Sequence, residues 1–428
     1  MSKKVIVTKS KLNNIGDAIR IRTGENGRYT LDEIAEKILS ISGDIPEPED
    51  PSSDNKIYGV VWDRTESHVF VRTDDAENFS DPIPSVNGST GSSPFDSIYP
   101  WSKMTIVDDR QAGKLVKIPK FYFKWTDTTG QLKLQITKNQ KEGFTICPAC
   151  ADRGDGAGER EYILVGRYPC GVGDYKSKSG VKPTDNVSCK TARNAIHLLG
   201  DTVWQFDAMT YYTICMLYLV EYADWDSQGK IGFGCSNVYN QKDDTGLTDS
   251  MPYHTGTTGA TLDNRGQIQY RYIEGLWSGV CTYIDGMFQA GYSNRNIFIA
   301  KNPLNFENMD MGWDEEHGYI NTEVAVPSYS GSDGLIRDMR ISQKQDTNWY
   351  MGVSSIERGP KDYSRYICDY MIGTNYDGSI PFYTGGSYTT KDEFRGAGLF
   401  LQNVETGYWV YGQDLAINGV GARLIKLS

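Results

Sequence analysis

The chain has 428 residues, 39% of them hydrophobic and 12% aromatic, enough for a substantial core in a few domains or one elaborated domain with small appendages. A formal net charge of −11 argues against a protein that grips nucleic-acid phosphates through clustered Lys and Arg, and it disfavours anionic membranes. Forty-five glycines and 28 tyrosines favour a loop-rich, β-containing surface protein over a helical bundle.

The N-terminus, Met1-Ser2-Lys3-Lys4-Val5-Ile6-Val7, has an apolar stretch too short for a signal peptide. The longest apolar window, 210–223, is interrupted by Thr213 and Glu221 and falls short of the ~20 residues of a membrane span. The expectation is a chain made and folded in a cytoplasm, with no membrane insertion, where the sequons at Asn78, Asn87 and Asn186 carry no meaning.

Residues 1–44 read as a helix–loop–helix. Ser10 caps a first helix bearing Leu12, Ile15, Ala18 and Ile19 on one face, and the glycines at 24 and 27 break it. Thr30-Leu31-Asp32-Glu33 is a capping box for a second helix lined by Ile34, Ile38 and Leu39. So few apolar positions make a marginal core, so the unit either docks on a partner or folds back on its own chain. Residues 45–56, with Pro46, Pro48 and Pro51 among Glu47, Glu49 and Asp50, form an extended linker.

From residue 57 strands take over. A β elaboration spans about 57–140: 58–62 and 69–72 suggest a short hairpin, and 114–125 and 132–136 alternate, the latter pair joined by a turn at 127–130. Two helices follow. The first covers 191–199 and stops at Gly200. The second, 206–223, is apolar nearly all round (Ile214, Met216, Leu217, Leu219, Val220), the mark of a buried helix. Beyond Tyr222 the chain is rich in Gly, Asn and Tyr with little helical periodicity.

Residues that bear chemistry are sparse. Cys147-Pro148-Ala149-Cys150 has zinc-ligand spacing, with Cys170 and Cys189 as conceivable partners. The remaining cysteines are scattered singly, as buried small hydrophobes are, and inert thiols are the preferred reading. The glycine-rich acidic run 152–159 does not match a calcium loop and reads as a turn. No G-x-S-x-G, H-E-x-x-H or Walker loop is present, and His197, between Ile196 and Leu198 on a helix, reads as a satisfied histidine rather than a base. The plentiful carboxylates leave a glycosidase pair open, but no spacing singles one out. The expectation is no enzyme, no cofactor and no metal.

Two stretches carry a family resemblance. Glu274-Gly275-Leu276-Trp277 leading to Asp285-Gly286, and the run opening at Gly385-Gly386-Ser387 and closing at Gly421-Ala422-Arg423-Leu424, resemble the signature segments of C-type-lectin-like folds of the formylglycine-generating-enzyme-like (sulfatase-modifying-factor-like) branch. With 58–125, Gly166-Arg167-Tyr168 and 218–228, the resemblance covers about 57–428 and is closest in kind to phage and prophage tail proteins, whose N-terminal segments also resemble 1–44. It implies an α+β, loop-rich lectin-like domain over 57–428, preceded by a small helical hairpin. It also implies that Trp277, Val280, Tyr283 and Ile284 are core strand positions, with Arg423 and Leu424 on the neighbouring strand. The enzymatic members of the branch hold copper with two cysteines in the C-terminal segment. Here no cysteine lies between 385 and 423, and the last is Cys368, so the resemblance implies a scaffold without that chemistry.

Within the C-terminal segment, about 385–428, Leu399, Phe400 and Leu401 read as a core strand. Gln402, Asn403, Glu405, Tyr408, Trp409, Tyr411, Gln413 and Asp414 then mix aromatic and amide groups on a glycine-punctuated loop. Aromatic side chains give contact area at low entropy cost and amides give adaptable hydrogen bonds, as in a paratope; for Trp409 alone a core position is an equal alternative. The expected receptor surface adds Trp349, Tyr350 and Tyr376 from neighbouring loops, all on one exposed face. In the resembling family this segment contacts ligand, and a diversity-generating retroelement varies it in some members. The implied function is a virion tail-tip adhesin that recognises a bacterial surface receptor, glycan or protein, joins other tail or baseplate proteins through 1–44, and is a homotrimer. The alternative is a structural tail or baseplate component that uses the same fold only for packing.

Overall fold

The computed structural model describes residues 55–428, apart from Glu66 and residues 238–241, 292, 312–314, 328–332, 358–366, 368, 373–376, 387–396 and 405–411. Contacts divide the chain into residues 1–53 and 54–428, and everything below concerns the second unit. The expected helical hairpin at 1–44 and almost all of the linker lie outside the described residues.

Period-two alternation builds the first sheet. Five antiparallel strands run in the order Phe70–Asp74, Ile57–Asp63, Gln131–Thr137, Tyr122–Asp127, Thr145–Ile146. The register sets Tyr58 opposite Ile136, Val60 opposite Leu134 and Trp62 opposite Leu132, so one face is apolar and buried while Lys133 and Gln135 on the other face are half-buried. Both expected hairpins form here.

The alternating run 114–125 is not one strand. Gly113–Pro119 belongs to a second antiparallel sheet, ordered Val203–Gln205, Leu424–Leu427, Tyr162–Gly166, Gly113–Pro119, Thr105–Asp109. Pro119 ends the strand because it has no N–H to give the ladder. The chain then crosses to the first sheet, starting again at Tyr122.

Three helices are described. α1, Cys189–His197, is capped by Ser188, whose hydroxyl accepts from the Thr191 amide. α2, Ala208–Tyr222, is capped by Asp207 and stopped by Ala223 in the left-handed conformation. α3, Ser227–Ile231, was not legible from periodicity and is capped by Asp226. Every residue of α2 is buried. It lies against the first sheet and against the strand Cys281–Gly291, so it has no solvent face and needs no amphipathic stripe.

That strand is the spine of a third sheet. Its order is Ile320–Ala325, Asn296–Ile299, Cys281–Gly291, Asp377–Thr384, Gln402–Asn403, Tyr370–Ile372, Asp333–Ile341, Met351–Glu357. Most neighbours are antiparallel, but Tyr370–Ile372 and Gln402–Asn403 run parallel, as does Val420–Gly421 beside Cys281–Thr282. The sheet curls into a nearly closed barrel. Its first and last strands meet where Gly352 faces Val324, so close that a Cβ there would lie 2.6 Å from the valine Cγ1. The Ser342 hydroxyl donates to the Thr322 carbonyl across the same seam at 2.8 Å. The fold is thus α+β, strand-rich with few helices.

Candidate functional site

The two signature stretches fold into one buried junction. Arg423 is fully buried and donates to the carbonyls of Gly166 (2.6 Å), Glu274 (2.5 Å) and Gly275 (3.2 Å). Burial lowers the guanidinium to about 10, against opposing pulls from Cys170 and Glu274. The Glu274 carboxylate, also buried, accepts from the Gly246 and Thr248 amides and the Thr248 hydroxyl at 2.6–2.9 Å. Burial nevertheless holds its pKa above the ordinary value. The Trp277 indole N–H donates to the Gly232 carbonyl at 3.0 Å. Gly385, at φ +83°, passes so close to Leu276 that a Cβ would sit 2.7 Å from its carbonyl oxygen, which is why glycine opens the C-terminal segment. Trp277, Val280, Tyr283, Ile284, Arg423 and Leu424 are all buried. Two details are corrected: Trp277 and Val280 stand in the bend before the strand, which starts at Cys281, and the C-terminal strand beside it is Val420–Gly421, whereas Arg423 lies outside any strand and Leu424 opens a strand of the second sheet.

A second buried knot ties this strand to α1. Asp285 accepts from Arg193 at 2.7 Å (Nε) and 2.6 Å (Nη2) and from the Gly286 amide at 2.9 Å. Arg193 also donates to the Gln413 side-chain carbonyl, and the Gln413 amide donates to the Glu307 carbonyl at 3.0 Å. A third clamp holds residues 397–404. The buried Asp369 carboxylate accepts from the Gly398 (2.5 Å) and Phe400 (2.7 Å) amides, and Ser227 and Tyr211 hold the Leu399 amide and carbonyl. Burial pushes Asp369 well above the usual carboxylate range.

These clamps change the reading of the receptor face. Gln402 is buried, its amide within 3.3 Å of the Tyr212 hydroxyl and 3.4 Å of the Met351 carbonyl. Asn403, also buried, lies in a strand paired with both Tyr370–Ile372 and Asp377–Thr384. Trp349 and Tyr350 are buried, with Tyr350 edge-on to Tyr212 of α2 at 5.3 Å. Gln413 is buried as described. These five residues are therefore not on an exposed face. An interior strand buries its amides when each finds a partner, and composition alone does not distinguish that from a polar surface loop. Leu399, Phe400 and Leu401 are core, but as a turn rather than a strand. Asp414 is exposed and paired with Lys190 at 3.2 Å. Glu405, Tyr408, Trp409, Tyr411 and Tyr376 lie outside the described residues.

Other clusters went unseen in the sequence. Arg271 is buried between Glu221 (2.5 Å) and Asp96 (2.9 Å), and Asp96 also meets His254 and the Tyr253 hydroxyl. These groups satisfy one another. The described cysteines are buried and free. Cys147 and Cys150 pack in the main core while Cys170 and Cys189 sit in two other clusters, and among the described residues no three His, Cys, Asp or Glu converge as metal ligands. His197 stacks on Trp204 with its Nδ1 3.1 Å from the Val203 carbonyl. A cleft of about 280 Å³ opens between the first sheet and the barrel-like sheet, with Trp125 and Asn348 in its lining.

No protein-family model matches this sequence, and no curated protein sequence matches it.

Proposed function

We propose that the chain is a receptor-binding adhesin of a phage or prophage tail, built on a C-type-lectin-like domain of the formylglycine-generating-enzyme-like kind. One observation carries the reading: Arg423 and Gly385, from the two ends of the C-terminal segment, both seat on the Glu274–Trp277 turn. The two stretches that carry the resemblance thereby meet in one junction, as a scaffold that displays a segment requires. The displayed part is 405–411, with Tyr408, Trp409 and Tyr411. It is flanked in the sequence by the buried Val404 and Gln413, and the reading assigns the variable contacts to its side chains. Residues 1–44 attach the chain to the tail, where a homotrimer multiplies a weak site by avidity. The reading assigns no catalysis, since the copper-holding cysteines of the enzymatic branch have no counterpart between 385 and 423.

The test is a competition. Purified protein should adsorb to host cells and block adsorption of the parent particle in a saturable manner. Protein that assembles into particles but neither binds cells nor competes would leave the structural tail component as the surviving reading.

A further inference from the structure

Cys147 and Cys150 differ from the other described cysteines in sharing one turn. Pro148–Cys150 is a single 3-10 turn with Cys147 at its N-cap, and the Cys150 amide donates to the Cys147 carbonyl at 3.0 Å. A turn closed by that bond holds its first and fourth Cα atoms less than about 7 Å apart, a range that covers the ~4.4–6.8 Å a disulfide spans. The side chains face each other, for the Cys150 thiol hydrogen-bonds the Cys147 sulfur. Both are free thiols.

The turn ties three parts of the molecule together. The Cys147 amide donates at 2.8 Å to the carbonyl of Phe121, just before the strand Tyr122–Asp127 of the first sheet. The Ala149 amide donates to the Thr213 hydroxyl of α2 at 3.0 Å. Arg153 donates to the Ala149 carbonyl at 3.3 Å and pairs with Asp207, the residue that caps α2. Whatever fixes this turn fixes the seat of the buried helix on the first sheet.

The two thiols are not equivalent. Burial alone would raise Cys147, but the Cys150 hydrogen bond and the Phe121 and Cys150 backbone outweigh it and hold the thiol below its ordinary value. The same hydrogen bond, together with burial, pushes Cys150 well above its own. Cys147 is thus the attacking sulfur and Cys150 the resolving one.

We propose that Cys147 and Cys150 form a disulfide when the chain folds in the presence of a small-molecule disulfide, and that this bond locks the turn between α2 and the first sheet. With oxidised glutathione as the oxidant, the Cys147 thiolate attacks one glutathione sulfur. A Cys147–glutathione bond forms and one glutathione thiolate leaves. Cys150 then gives up its proton and attacks the Cys147 sulfur, so that the Cys147–Cys150 bond forms and the second glutathione thiolate leaves. The two cysteine protons end on the two glutathione thiolates, and two electrons pass from the pair to the oxidant. Both side chains are fully buried in the folded chain, so the exchange belongs to folding, before the core closes. Cys189 accepts from the Gln205 amide at 3.3 Å and Cys281 donates to the Gly385 carbonyl at 3.0 Å, and both should stay reduced.

The full chain, unfolded and reduced, tests this when refolded in oxidised glutathione and, in parallel, in dithiothreitol, then labelled with N-ethylmaleimide in denaturant. Trypsin releases both sulfurs in one peptide, residues 142–153. After glutathione this peptide should be unlabelled and two hydrogens lighter than its dithiol form, and after dithiothreitol it should carry two labels. The oxidised chain should melt about 2–5 °C above the reduced one, and Cys150→Ala should melt alike in both buffers. The proposal is overturned if both sulfurs are labelled after glutathione, if glutathione stays attached, if either sulfur bonds another cysteine, or if the oxidised and reduced chains melt together. The mass readout needs no variant, so a Cys150→Ala chain that fails to fold leaves the test intact. No cells are present, so the result is independent of the adsorption assay.

Discussion

The first sheet and the barrel-like sheet bury their polar residues by opposite rules. In the first, polar side chains on the strands alternate outward: Gln131 is exposed and Gln135 half-buried, while their neighbours Leu132, Leu134 and Ile136 fill the core. In the second, the strand Cys281–Gly291 is buried at every position, Thr282, Asp285 and Gln289 included. A strand with one wet face keeps polar groups cheaply. A strand covered on both faces keeps a charge only by pairing it, as Arg193 does for Asp285, whereas the Thr282 hydroxyl and the Gln289 side-chain oxygen are buried without a hydrogen-bond partner. The same residue types therefore mean surface in one sheet and structural lock in the other.

The sharpest way to break this comparison is to remove a lock. Asp285→Ala strands Arg193, whose side chain is 5% exposed, and should cost about 3–5 kcal/mol in chemical denaturation. Removing both charges with Asp285→Leu and Arg193→Met should cost much less than the sum of the single changes. Additive losses would show that the pair does not act as a unit.

A smaller effect separates the two amide populations. Gln402→Ala leaves buried partners unsatisfied and should cost about 1–3 kcal/mol, whereas Gln131→Ala, on the wet face of the first sheet, should stay within about 0.5 kcal/mol. Equal melting shifts for the two would place Gln402 on a surface after all.

The smallest effect is electrostatic. Burial alone would raise the Asp96 carboxyl, but the His254 hydrogen bond, the Arg271 charge and the Tyr253 hydrogen bond outweigh it and hold it at about 2. A carboxyl lowered in the folded state adds stability above its unfolded value near 4, and that stability is lost as pH falls through the folded value. Asp96 is 37% exposed on its side chain, so after solvent screening the contribution is under about 1 kcal/mol. Denaturation curves of Asp96→Asn should therefore fall slightly below the parent at neutral pH and converge with it between about pH 4 and 2. A gap that widens in acid would reverse the sign.

What was legible in the sequence follows the same division. The alternation of 57–137 exposed the hairpins, and the all-round apolar character of 208–222 exposed a buried helix, because in both cases burial leaves a periodic trace. Pro119 hid a change of sheet inside a continuous pattern. Gln402, Asn403, Gln413, Trp349 and Tyr350 read as a display surface because a locked amide and a solvent-facing amide are the same letter. Their partners Tyr212, Met351 and Arg193 lie far away in the chain. The cleft was illegible for the same reason, since Trp125 stands on a strand of the first sheet and Asn348 in a turn between two strands of the barrel-like sheet, and they share no local motif.

Two tryptophans test the central claim side by side. Trp277, wholly buried beside the Arg423 junction, belongs to the scaffold, and the account places Trp409 in the displayed segment. Melting temperature and host-cell adsorption should be measured for Trp277→Ala and Trp409→Ala together. Trp277→Ala should lose about 3–5 kcal/mol of stability. Trp409→Ala should keep its stability within about 0.5 kcal/mol while losing about 2 kcal/mol or more of binding. A Trp409→Ala protein that unfolds early yet adsorbs like the parent, once folded, would contradict the account.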